Sequence, residues 1–169
     1  MNKSVASEGV GAQELRILDE LQRDCRLSNQ ELAERVNLSP SACWRRVRAL
    51  EEEGVIQGYV AKVDPEQVGL TDSVFANVRL ERHSKAITEE FVKAVMTRPE
   101  ILDCYATTGD EDYMLRVLAP SVRAYDRFLQ DFLLELPYVA HVRSHFVLRR
   151  IKAETRIPPE IFPRKGERA

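Results

Sequence analysis

From Ala12 to Cys25 the apolar residues Leu15, Leu18 and Leu21 recur with Ile17 beside them and polar residues between, the stripe of an amphipathic helix. The next stretch, SNQELAERV, opens with Ser28 and has Glu31 three residues on. That is a capping box, with Leu32 and Val36 as the buried face of a short second helix. After a break at Asn37 and Leu38, Ser39 caps and Pro40 takes a first helical position, where its missing N–H is no loss. A third helix is predicted to run to about Glu53 and to stop at Gly54. VIQGYVAKV then alternates and is rich in β formers, which predicts a strand serving as a wing or as an arm joining two halves. Val63 to Leu70, with Asp64, Pro65 and Gly69, reads as a turn-rich linker.

The second half predicts strand, helix, two strands, helix, strand. Val74, Ala76, Val78 and Leu80 alternate with polar partners, and Ile87, Phe91, Val92 and Val95 follow at helical spacing up to Pro99. ILDCYATT and DYMLRVLA flank a polar turn and make a hairpin. Pro120 and Ser121 start a helix bearing Tyr125, Phe128, Leu129, Phe132 and Leu133, Pro137 ends it, and YVAHVRSHFVLRRI closes as a long strand. A βαββαβ order is the ferredoxin-like sandwich, so the fold class is α+β, a winged helix-turn-helix followed by a ferredoxin-like domain. Apolar residues at both parities in the last strands imply that the second sheet face meets another copy of the chain.

On a helical wheel Cys43, Val47 and Leu50 share the core side of helix three, and Ser41, Trp44, Arg45 and Arg48 fall opposite. On the wheel alone, a solvated basic face accounts for this as well as a DNA-reading one. The short capped helix, the tight connection and the second helix are what favour the helix-turn-helix plan, in which that second helix enters the major groove. The expected DNA-binding set is Ser28, Ser39, Ser41, Trp44, Arg45, Arg46 and Arg48.

Charge restrains this picture. Residues 1–60 hold eight Lys and Arg against ten Asp and Glu, so any phosphate-binding patch must be local to the acid-free run Ser39 to Leu50, or built by two copies. The whole chain is soluble in character, with 44% hydrophobic and 31% charged residues and a formal charge of -2 over 169 residues. No apolar run approaches the roughly 18 residues of a membrane span. The start MNKSVASEGVG lacks a signal-peptide core, and Cys25, Cys43 and Cys104 lie in no metal-ligand spacing; a cytoplasmic protein with reduced thiols is expected. The expected divisions are a flexible lead-in 1–11, a DNA-binding domain 12–63, a linker 64–71, an effector-binding and oligomerisation domain 72–152 and a tail 153–169, neither end carrying the fold.

No nucleophile with a base, metal cluster or phosphate loop marks an enzyme. His141 and His145 share a strand face without a third ligand, and Cys43 and Cys104 read as packing. The hairpin from Thr107 to Tyr113 admits two readings. Gly-Asp turns usually just close hairpins. This one can also hold a carboxylate on free amides near Gly109 and an ammonium on Asp110 or Asp112.

The motifs LSNQELAERVNLSPSACWRRVRALEEEGVIQGY, TTGDEDYMLRV and LPYVAHVRSHFVLRRIK together resemble the Lrp/AsnC family, the leucine-responsive and asparagine-responsive class of transcription regulators, from about Leu15 to about Pro158. The resemblance implies a sequence-specific regulator of amino-acid metabolism that binds double-stranded DNA. It also implies a homodimer assembling to tetramer or octamer, no cofactor or metal, and an amino-acid effector held between neighbouring dimers. The effector residues it suggests are Thr107, Thr108, Gly109, Asp110, Asp112, Tyr113, Leu134, Tyr138, Arg143 and Phe146. Trp44 and Tyr138 depart from the smaller or aliphatic residues more usual in the family; Tyr138, in place of a common glycine, reshapes the effector pocket. A nucleoid-type architectural protein of low sequence specificity is the alternative, separable by the affinity ratio between target and random DNA.

Overall fold

The computed structural model describes residues 10–82 and 84–162. The lead-in expected over 1–11 therefore lies, up to Gly9, outside the described residues, as does the tail beyond Phe162. The chain divides into two units, one formed by residues up to Ala61 together with those from Lys152 onward, the other by Lys62–Ile151.

The first unit contains α1 (Ala12–Arg23), α2 (Asn29–Arg35) and α3 (Pro40–Glu52). The expected caps form: Ser28 and Glu31 make the reciprocal capping box of α2, and the Ser39 hydroxyl accepts from the Ala42 amide at the start of α3. Ile17, Leu32, Val36, Cys43 and Leu50 bury their side chains together, one helical stripe from each helix. The strand expected over Val55 to Val63 is not formed. Those residues have no ladder partner among the described residues of this unit, and β-propensity alone cannot satisfy the backbone of a lone strand.

The C-terminal segment joins this same unit, which overturns the expectation that neither end contributes to the fold. Arg156 sets its guanidinium on Asp19 of α1, with Nε 2.8 Å and Nη2 2.7 Å from Oδ1. Gln22 clamps Ile157, accepting from its amide at 2.7 Å and donating to its carbonyl at 3.2 Å.

The second unit runs β1 (Asp72–Leu80), α4 (Lys85–Met96), β2 (Ile101–Ala106), β3 (Tyr113–Ala119), α5 (Val122–Phe128) and β4 (Val139–Phe146). A wide π turn over Leu129–Leu133 continues α5. The sheet order is β2-β3-β1-β4, antiparallel throughout, which is the ferredoxin-like arrangement the pattern predicts. Val74, Ala76, Val78, Leu115 and Val117 form the helix-side face and pack under Phe91, Val95, Tyr125, Phe128 and Leu133. Because residues paired across strands point to one side, the ladder register assigns the other face to Phe75, Asn77, Arg79, Met114, Arg116, His141, Arg143 and His145. Apolar and charged residues mix on this outer face.

Candidate functional site

Two sites arise, one in each unit. In the first, Asn37 adopts φ 54°, the left-handed backbone that turns the chain sharply between α2 and α3. The Asn29 side-chain amide donates to the Pro40 carbonyl at 2.9 Å, tying the start of α2 to the start of α3. Sequence reasoning missed Asn29, because a bond across eleven positions leaves no local mark.

Trp44 is 56% exposed on the outer face of α3, and the Arg48 guanidinium lies 5.8 Å from its ring centroid. Arg48 also reaches Glu52 at 3.4 Å, a solvent-exposed pair that a phosphate can replace. Arg45 is exposed and has no ion-pair partner among the described residues, and Ser41 is exposed beside it on the wheel. These four residues form one face, as the wheel predicts. Arg46 does not belong to it: it forms an ion pair with Glu14 and braces α3 against α1. Ser28 and Ser39 are occupied by their helix caps, Ser28 Oγ donating to Glu31 Oε2 at 2.7 Å. Cys43 is fully buried, which pushes its thiol up from the ordinary range and fits packing rather than chemistry. Beyond α3, the Tyr59 hydroxyl donates to Glu51 at 3.0 Å; partial burial and that carboxylate push its pKa up to about 12.

In the second unit the β2–β3 hairpin is held from within and from β1. The Thr107 amide donates to the Asp112 carbonyl at 2.9 Å and the Thr107 hydroxyl to the Glu111 carbonyl at 3.0 Å. Gly109 stands at φ 116°, a backbone that L side chains rarely adopt, with Thr108 and Asp110 exposed on either side. The Asp112 amide donates to the Val78 carbonyl at 2.9 Å, and its carboxylate accepts from the Leu80 amide at 2.7 Å. Asp112 thus pins the hairpin to β1. Tyr113 is core, 8% exposed with its ring centroid 4.5 Å from that of Phe91.

The acid that faces outward at this hairpin is Glu111, a residue the sequence reading passed over. Its side chain is 11% exposed and lies 3.4 Å from Arg143 and 3.2 Å from His141, both on β4. Tyr138 stands at the same end of the sheet, since its carbonyl accepts from the Glu81 amide just past Leu80. Burial and the nearby Glu90 carboxylate raise its phenol above the ordinary range. Leu134, 47% exposed, follows the π turn that ends at Leu133. Phe146 is elsewhere. It pairs with Val74 at the opposite end of the ladder, seven positions from Val139, on the helix side against Tyr125 at 5.4 Å. Within one chain it therefore does not join Arg143, which points to the outer face.

Among the described residues no three His, Cys, Asp or Glu gather to hold a metal, and no helix is long and apolar enough to cross a membrane.

Two family models match the chain: a winged helix-turn-helix DNA-binding model over residues 12–57 and the Lrp/AsnC ligand binding domain over residues 73–157. The chain is 41% identical over 141 residues to the leucine-responsive regulatory protein of Escherichia coli K12, spanning 83% of this chain and 86% of that relative. A transcriptional regulator of Neisseria meningitidis, solved as its L-Met complex, superposes with a TM-score of 0.84 at 39% identity over 89% of this chain and 97% of that one. A feast or famine regulatory protein of Mycobacterium tuberculosis, complexed with L-methionine, gives 0.76 at 31% identity over 87% and 97%. These relatives are regulators rather than enzymes. With both units matched in order and the identity sustained along most of its length, the chain belongs to the Lrp/AsnC family of transcription regulators.

Proposed function

We propose that this regulator controls genes of amino-acid metabolism, and that an amino acid seated at the β2–β3 hairpin changes its grip on DNA or its assembly. The observation that carries the reading is the pairing of Glu111 with Arg143, an acid and a base 3.4 Å apart beside the hairpin. An amino acid is a zwitterion and needs both. Its ammonium goes to Glu111, and its carboxylate to Arg143 and to backbone amides near Gly109. Tyr138 packs with the helix-side core at that end of the sheet and Leu134 follows the turn that continues α5, so they, like Phe146, supply apolar surface for its side chain only from a neighbouring copy. The two relatives solved with methionine make methionine and leucine the first ligands to try.

Dimerisation through the outer sheet face belongs to the same reading, with larger rings built from such dimers. Asn77 sits in the middle of that face with its Oδ1 buried and without a hydrogen-bond partner, and Phe75 and Met114 lie beside it. A second copy would cover the apolar pair and offer the missing donor. Calorimetric titration of the full-length protein with methionine and leucine tests the ligand. Glu111→Gln is expected to weaken binding tenfold or more; unchanged affinity would sink the placement.

A further inference from the structure

Trp44 is the single tryptophan of the sequence, and the first unit does not use it to fold. It stands outside the cluster that Ile17, Leu32, Val36, Cys43 and Leu50 form, and more than half of its surface is left to water. With Ser39 as cap and Pro40 as the first residue of α3, Trp44 falls in the second turn of that helix, with Ser41 one turn before it and Arg48 one turn after on the same outer face. Those are the turns of a helix-turn-helix second helix that meet base edges. The cation–π contact with Arg48 ties the two side chains together, which lowers the entropy lost when the ring is held against a ligand.

The chemistry of the major groove limits what such a ring can meet. Its floor presents ring nitrogens, carbonyl oxygens and amino groups, and the apolar group among them is the 5-methyl of thymine. An indole laid on a polar edge would strip it of water and return no hydrogen bond, which opposes binding. Laid on the methyl, both surfaces leave water favourably. The phosphate backbone is a poorer match, because the face of the ring carries the negative side of its quadrupole, and Arg45 and Arg48 on the same face are the groups suited to anions or guanine.

We propose that Trp44 is a specificity residue that reads thymine, its ring packing on the 5-methyl group of one thymine in each half-site. Attraction to the methyl and the penalty on every polar edge act in the same direction, so the ring discriminates more than it adds to affinity for random DNA. This reading concerns the DNA-binding unit alone and is independent of the effector site.

The test selects binding duplexes from a random pool with the full-length wild type and with Trp44→Ala. One thymine per half-site is expected in the wild-type sequences that loses its preference in the variant, the other positions holding. Replacing that thymine by deoxyuridine in one half-site removes the methyl and nothing else. It should weaken wild-type binding about fourfold, the contribution of one buried methyl-sized group, and leave binding by Trp44→Ala unchanged. Because Trp44 lies outside the buried cluster, the variant should melt with the wild type, and the deoxyuridine comparison on the wild type stands whether or not it does. As the sole tryptophan, Trp44 also reports directly, and its emission should move to shorter wavelength on saturation with the selected duplex. The proposal is overturned if deoxyuridine binds the wild type as tightly as thymine at every position, if Trp44→Ala weakens selected and random DNA alike, or if the emission does not change.

Discussion

Adjacent acids in one turn have different work. Asp112 accepts the Leu80 amide at 2.7 Å and so anchors the hairpin, whereas Glu111 faces Arg143 and His141 of β4 on the outer side. Asp112→Ala strands a half-buried amide and should lower the stability of the second unit by about 1 to 3 kcal/mol, read as a fall in unfolding midpoint. Glu111→Gln should leave that midpoint within experimental scatter while weakening the effector. If the two variants exchange these signatures, the assignment of roles is reversed. Neither role was legible in the sequence: GDED shows three acids in a turn, but the partners that tell them apart lie about thirty positions away on β1 and β4. Asp19 gives a pH signature at the same scale. Burial works against its charge, but hydrogen bonds from Arg156 and Arg23 outweigh this and hold its carboxyl below the ordinary 3.8. A depressed carboxyl contributes stability that is present above that ordinary value and lost as pH falls through the lower, folded-state one. Docking of the C-terminal segment should therefore be complete at neutral pH and fail only below about 3.8, seen as faster amide exchange at Ile157 in acid.

Elements whose signals are local came through the sequence well. The capping box at Ser28, the Ser39–Pro40 start and the two helical stripes of the second unit depend on residues within one or two turns, and they form as the pattern predicts except that Val92 of the first stripe is exposed. The strand expected over Val55 to Val63 failed because a strand is a relation between segments, and this one has no ladder partner among the described residues. Helix α3 shows both cases at once. Its wheel separates the core side from Trp44, Arg45 and Arg48, while Arg46, grouped with the readers in the sequence, pairs with Glu14 of α1. Arg45→Ala should cost about 1 to 3 kcal/mol of operator binding and relax sequence preference if it reads a base edge. Arg46→Ala should leave preference intact and instead lower the thermal stability of the first unit. Gel-shift titration and a melting curve on both variants separate reading from bracing.

At the scale of the molecule, the outer sheet face and the returning chain matter most. Phe75→Asp places a charge on the face that carries the orphaned Asn77 Oδ1 and Met114, and should drive the full-length protein towards monomer in sedimentation velocity. An assembly unchanged by that charge would assign the contact to another surface. The first unit buries one small cluster of side chains, a size at which a few docked residues alter stability perceptibly. The segment from Glu154 to Ile157 supplies such residues, at a sequence distance of 135 positions between Gln22 and Ile157.

Because the chain leaves the first unit at Ala61 and comes back to it at Lys152, the two units are joined by two separate crossings, and both described ends of the polypeptide belong to the same unit. A protease that cuts once between residues 64 and 71 therefore does not free the DNA-binding piece. The larger fragment keeps Arg156 and Ile157 seated on the smaller one, so the nicked protein should elute as one species until that clamp is also broken. A fluorophore placed at Ile161 would follow the DNA-binding unit, not the ligand-binding one.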